Sequence, residues 1–267
     1  TIGVSIVVLS GWAGQVSLGQ MTLVGIGAAV TTWATVTRGV DPLVALLAAG
    51  FAGSLVALVI GLPALRLRGL HLAVTTLAMA LAASSALFNN AYVDWIPRGA
   101  FRRPTLLRRL SLDSATRVYE LALVVLVLAL LAVGGLRRSR TGRVLIALRD
   151  NEAAAAAYGI SVTRAKLTAF AVSGFVAAVA GGVFAYGQAS FQPSSFTAGE
   201  SIRVFSAAVI GGLASPVGAV LGAAYARGTQ YLLPGSWQLL ATAADLAKQS
   251  EALRTHVQSF VDKARAA

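Results

Sequence analysis

Residues 137–166 read RRSRTGRVLIALRDNEAAAAAYGISVTRAK, a polar, basic interval between two long apolar runs. That pattern puts the apolar runs across a bilayer and the interval at its surface. Its centre, Asp150 to Tyr158, is rich in alanine, the strongest helix former, and predicts a short helix. Asp150 and Glu152 fall near the start of that helix, where negative charge suits the dipole. Gly159 follows, where a helix end wants a residue that tolerates positive φ. A short capped helix between two spans is a surface able to touch a partner. On composition alone, a solvated loop helix without a partner is the better reading.

Composition points the same way. Of 267 residues, 57% are hydrophobic and 12% charged, whereas a soluble domain carries roughly a quarter charged. Mean hydropathy is +0.74. Several near-uncharged runs of about twenty residues predict an all-α fold, a polytopic transmembrane helical bundle. The 27 glycines suit close packing of such helices. With no cysteine there is no disulfide framework or thiolate metal site, and His71 and His256 lack ligand spacing, so no cofactor or metal is expected. The net charge of +12 does not point to nucleic acid, because the arginines sit in loops and at span ends, where positive-inside topology and lipid headgroups place them. No G-x-x-x-x-G-K-[S/T], H-E-x-x-H or G-x-S-x-G motif and no paired carboxylates occur, so the chain is not expected to be an enzyme. No acidic residue falls mid-span; Glu200, beside Arg203 at a span edge, comes nearest. Any transport would therefore draw its energy from a partner.

In chain order, residues 1–10 read as the last part of a span, too short to cross alone, so an upstream segment is expected. Residues 11–19, GWAGQVSLG, interrupt it. A broken helix lining a cavity and a small-residue helix contact both remain open there. Residues 20–37 form the second span, and Pro42 opens the third at 43–62. Arg66 and Arg68 mark its exit. Residues 69–88 form the fourth, with His71 at the interface; its hydroxyls, Thr75, Thr76, Ser84 and Ser85, are expected to bond backbone or neighbouring helices. A polar loop over 89–118 carries six arginines: Arg98, Arg102, Arg103, Arg108, Arg109 and Arg117. They would meet lipid headgroups or the acidic patches of a soluble binding protein. The fifth span, 119–136, has the composition of a lipid-facing helix, and the sixth covers 167–186. Over 201–233, Gly211, Gly212, Gly218, Gly222 and Pro216 divide an apolar run into two short helices around a break. After Pro234 the chain turns polar, with Leu246, Leu253 and Phe260 at heptad spacing.

The stretch DNEAAAAAYGI, with Gly142 and Arg143 before it and Thr163, Lys166 and Leu167 after it, resembles the EAA loop of the branched-chain amino-acid ABC transporter permease family. GWAGQVSLGQ, LRLRGLHLAVTTLA, SFQPSSF and VIGGLASPVGAVLGAAY resemble further stretches of the same family. The resemblance implies a transmembrane permease domain over 1–233 with a cytoplasmic coupling loop over 137–166 within it; it stops after Pro234, and 234–267 reads from its own pattern as an atypical amphipathic C-terminal helix. It implies a bundle with broken or re-entrant helices and a coupling helix. Arg149, Asp150, Glu152, Ala153, Ala154 and Gly159 would then couple to an ATPase. Gly14, Gln15, Ser17, Thr75, Thr76, Gly211 and Gly212 would lie along a translocation path. The implied partners are cytoplasmic ABC ATPase subunits, a second permease subunit and a periplasmic substrate-binding protein, in a bacterial inner membrane. The implied cargo is a branched-chain amino acid. A permease for urea, short amides or another small polar solute, and a non-transporting structural or signalling membrane subunit, stay open as alternatives.

Overall fold

The computed structural model of the chain describes residues 1–64, 70–86, 96–97, 99–101, 103–106, 110–111 and 114–232. Arg66, Arg68, Arg98, Arg102, Arg108, Arg109 and the whole 234–267 tail lie outside the described residues. The chain divides into two units, Thr1–Ala223 and Ala224–Ala267. The first holds everything discussed below; in the second, the described part is the last turns of one helix.

The fold is an all-α helical bundle. Helix α1 (Ile2–Ile6) widens into π-helical turns over Val7–Trp12. After an irregular stretch, α2 (Gln20–Thr32) likewise ends in π-helical turns, Trp33–Thr37. Then come α3 (Pro42–Ala64), α4 (Leu70–Ala86), α5 (Ala115–Arg138), α6 (Arg140–Asp150), α7 (Glu152–Ala157), α8 (Val162–Gln188), α9 (Ala198–Gly211) and α10 (Pro216–Leu232). Strand pairs of two residues join Gly99–Ala100 to Ser190–Phe191 and Thr105–Leu106 to Leu110–Ser111, both antiparallel.

Among the described residues, three helices, α3, α5 and α8, are long and apolar enough to cross a membrane, and α9 with α10 forms a fourth candidate, bent by 119° at its break. Of the three, α8 is the hub: 61% of its apolar window is buried, against 33% for α3 and 17% for α5. That ranking matches the expectation that the fifth span faces lipid. Leu123, Val124, Val127, Leu128 and Leu131 all stand exposed on α5, as apolar side chains can where the solvent is hydrocarbon.

Helices α2 and α3 pack along α8, and glycine sets how closely. A Cβ on Gly27 of α2 would overlap the backbone of Ala178 on α8, and one on Gly181 of α8 would overlap the carbonyl of Val24 on α2. A buried polar knot ties the same layer together. Gln20 donates from Nε2 to Ser5 Oγ at 2.7 Å and to Ser173 Oγ at 3.0 Å, and Ser173 Oγ donates to the Ser5 carbonyl at 2.9 Å. These three side chains hold α1, α2 and α8 at one depth.

Two expected boundaries move. The first interruption begins at residue 13, because the π-helical turns carry α1 through Gly11 to Trp12. The interval before Asp150 is helical too, as α6, because Val144, Leu145 and Leu148 recur on one side and pack into the core. Ser139 caps α6 by accepting from the Gly142 N–H at 3.3 Å.

Arg103 also departs from the expected free surface. It donates from Nε to the Tyr186 carbonyl at 3.1 Å and from Nη2 to the Gly187 carbonyl at 3.0 Å. It thus adds a donor to two carbonyls in the last turn of α8, one of which, Tyr186, also accepts the Ala189 N–H at 3.3 Å.

Candidate functional site

The site has two parts, an arm (α6 and α7) and a pair of helix breaks. The arm turns at Asn151, whose Oδ1 accepts the Ala154 N–H at 2.9 Å and so caps α7. Asn151, not Asp150, begins the alanine helix; Asp150 closes α6. Ala153, Ala154, Ala156 and Ala157 are exposed, while Ala155 is buried against the bundle. Tyr158 follows at 88% exposure. Gly159 has φ of 78°, which lets its N–H reach the Ala156 carbonyl at 2.9 Å and that of Ile160 reach Ala155 at 3.1 Å. Glu152 turns inward, its Oε2 3.0 Å from Lys166 Nζ on α8. Lys166 is 3% exposed.

The first break spans residues 13–19. Gly14 takes φ of 65°. The Gln15 N–H reaches the Leu9 carbonyl at 3.0 Å, its carbonyl accepts from Ser10 Oγ at 3.1 Å, and its amide Nε2 donates to Ala13 at 3.2 Å. The Leu18 N–H donates to Thr76 Oγ1 at 3.0 Å, so α4 supplies the partner this unwound backbone lacks. Irregular backbone at membrane depth survives only with such partners. Ser17, Thr22 and Thr76 line a small cavity of about 10 Å³ with Leu9, Ile60 and Phe170. It is room for about one water. Thr22 Oγ1, buried there, has no hydrogen-bond partner among the described residues.

The second break spans residues 212–215, with Gly212 at φ of 95° and Ser215 Oγ accepting the Gly218 N–H at 3.3 Å to start α10. The end of α1, just before the first break, meets the second break. Trp12 donates from Nε1 to the Ala214 carbonyl at 3.2 Å, and a Cβ on Gly11 would overlap the carbonyl of Leu213.

Of the expected path residues, Gly14, Gln15, Ser17 and Thr76 gather at the first break, while Gly211 ends α9 and Gly212 opens the second break. Thr75 stands apart: it is exposed, and its hydroxyl donates to the His71 carbonyl at 2.8 Å. Of the expected coupling residues, Ala153, Ala154 and Gly159 face outward, whereas Arg149 and Glu152 reach inward. Trp12, Gln20 and Arg137 have no role in the sequence reading, and Lys166 enters it only as part of the loop resemblance, not as a partner of Glu152. Gln20 had the plainest signal, an amide inside an apolar run, which in a membrane helix needs a neighbour's hydrogen bonds.

A bundle of apolar helices, two of its segments broken and a small-faced helix held out on an arm, is the architecture of a multi-pass membrane protein. The chain belongs to the branched-chain amino acid transport system / permease component family, whose profile matches residues 1–235. It is 32% identical over 247 residues to the high-affinity branched-chain amino acid transport system permease protein LivM of Salmonella typhimurium strain LT2, covering 83% of this chain and 58% of that protein. It is 37% identical over 126 residues to the autoinducer 2 import system permease protein LsrC of Enterobacter sp. strain 638, covering 45% of this chain and 36% of that one. To the xylose transport system permease protein XylH of Escherichia coli K12 it is 33% identical over 162 residues, covering 52% and 41%. The chain thus spans a little over half the length of the curated LivM relatives. No solved structure matches it.

Proposed function

We propose that the chain is a membrane-spanning permease subunit of an ABC importer in a bacterial inner membrane, and that α7 is its coupling helix. A cytoplasmic ATPase would seat on the exposed face of α7. A periplasmic binding protein would deliver a branched-chain amino acid at the opposite end, and the solute would cross between this chain and a second permease subunit. ATP-driven movement of the arm would alternate access to the breaks. The freed backbone groups and hydroxyls there offer contacts to a zwitterionic solute.

One observation carries this reading. Helix α7 shows a surface of alanine methyls and a nearly bare Tyr158, while its single carboxylate is turned into the protein. Small side chains let a partner's groove approach the helix backbone, and a bare aromatic beside them is a typical interface anchor. Tyr158→Asp is expected to weaken co-purification of the cognate ATPase about thirtyfold or more, with no change in the permease's own thermal midpoint. Undiminished retention of the ATPase would remove α7 as its seat.

The similarity to the autoinducer 2 and xylose permeases favours a second reading, a sugar-like polar solute carried by the same machinery. Uptake of labelled leucine, tested for competition by valine, xylose and urea, separates the cargo classes.

A further inference from the structure

Docking on α7 does not account for two exposed arginines, Arg149 of the arm and Arg137 at the end of α5, whose guanidinium groups reach the end of the first helix. Arg149, in the last turn of α6, donates from Nη1 to the Gly11 carbonyl at 2.6 Å. That carbonyl lies at the end of the π-helical extension of α1, where helix carbonyls run out of intrahelical donors and a cation meets the negative pole of the dipole. Gly14 lies against the same side chain: a Cβ there would sit 3.3 Å from Arg149 Cγ. Arg137, in the last turn of α5, holds its guanidinium carbon 5.9 Å from the Trp12 ring centroid, within cation–π reach. Trp12 is 2% exposed and passes its Nε1–H to Ala214 in the second break. A continuous set of side-chain contacts therefore runs from the arm to the first break and on to the second.

We propose that Arg149 and Trp12 are positioning residues that tie the arm to both helix breaks, so that a displacement of α6 and α7 reaches the two breaks together. The proposal rests on the importer reading and assigns Arg149 to the pathway side of the arm, away from the ATPase. Spatial continuity alone does not establish coupling; an energetic test does.

The test uses the full transporter, with its ATPase, second permease subunit and binding protein, reconstituted in liposomes, and reads solute moved per ATP hydrolysed. Arg149→Met removes the donors and Trp12→Phe removes the N–H while keeping a ring. Each is expected to retain the ATPase and its hydrolysis rate within about twofold, yet to lower solute per ATP about tenfold, the size of a typical coupling free energy. Arg149→Lys, which keeps the charge and one reach to the Gly11 carbonyl, should recover part of that loss. The double variant should be no worse than the poorer single, because the two contacts act in series.

Unchanged solute per ATP in both single variants overturns the proposal while leaving the importer reading intact. Proportional loss of hydrolysis and transport also overturns it, since that is the signature of a merely structural role. A wild-type chain that holds no ATPase overturns the importer reading itself. Should Arg149→Met not assemble, Arg149→Lys and Trp12→Phe carry the same comparison.

Discussion

Leucine in place of Gly181 is expected to leave almost no folded bundle to extract from the membrane. Gly181 and Ala178 sit one turn apart on α8, facing Val24 and Gly27, one turn apart on α2, and the two backbones touch at both places. Inside a bilayer no hydrophobic force presses helices together; close packing and interhelical hydrogen bonds do that work. A side chain at Gly181 would meet the Val24 carbonyl, which cannot swing aside as a side-chain end can. The helices would have to part along their shared length, and the Gln20–Ser5–Ser173 knot beside them would open. Overpacking in ordinary cores costs about 1–3 kcal/mol; a backbone-to-backbone seam should lie at or above the top of that range. Gly134 and Gly135 on α5 supply the control, because nothing among the described residues stands within 4 Å of a Cβ at either. Leucine there should be neutral or stabilising by up to about 1 kcal/mol, since glycine is a poor helix former. The measurement is the yield of monodisperse protein and its thermal midpoint in detergent. Equal midpoints for Gly181→Leu and Gly134→Leu would mean that the α2–α8 seam is not as described.

The contrast between those glycines marks the limit of what the chain order discloses. Apolar runs locate α3, α5 and α8, and the glycine and proline clusters locate both breaks, because span length and helix breaking are local properties. Gly181 and Gly134 look alike in sequence, each in an apolar run, yet one is a contact point and the other faces outward. Only the partner helix distinguishes them. The same holds for charge. Arg149 lies among seven basic residues from Arg137 to Lys166, and nothing local says that it turns inward to Gly11 or that Lys166 turns inward to Glu152. Helix α6 escaped for a different reason. Its arginines hid a three-residue apolar stripe, Val144, Leu145 and Leu148, short enough to pass for a loop. The alanine run of α7 was legible because propensity alone makes it helical, but its start at Asn151 depended on which of two adjacent polar residues caps.

The breaks illustrate a further point about depth. Each ends a helix whose last carbonyls would be costly in hydrocarbon, and each is answered from elsewhere: Arg149 for Gly11, Trp12 for Ala214, and Thr76 for the Leu18 N–H. The partners come from α6, α1 and α4, so the irregular backbone is stable only in the assembled bundle. Movement of any one of these helices changes which polar groups are satisfied.

The ion pair beneath α7 gives the second large effect, and it should be lopsided. Lys166 is 3% exposed as a side chain and Glu152 35%. Glu152→Ala leaves an ammonium buried without that counterion, and the removal of one member of a buried pair costs about 3–5 kcal/mol. It also removes the first-turn carboxylate of α7, worth about another 0.5 kcal/mol against the dipole. Lys166→Met leaves a carboxylate that water reaches and fills the stem's place with a side chain of similar length, so its cost should stay below about 1 kcal/mol. The double variant should resemble Lys166→Met, since no stranded charge remains. Unfolding of the purified protein measures all three, and hydrogen exchange at the α7 amides reports whether the arm has come loose. The same set decides how Glu152 serves docking. If it holds α7 in place, ATPase retention falls in Glu152→Ala and returns in the double variant. If it touches the ATPase itself, the double variant stays as weak as Glu152→Ala, and the inward anchoring of α7 would not be what the partner depends on.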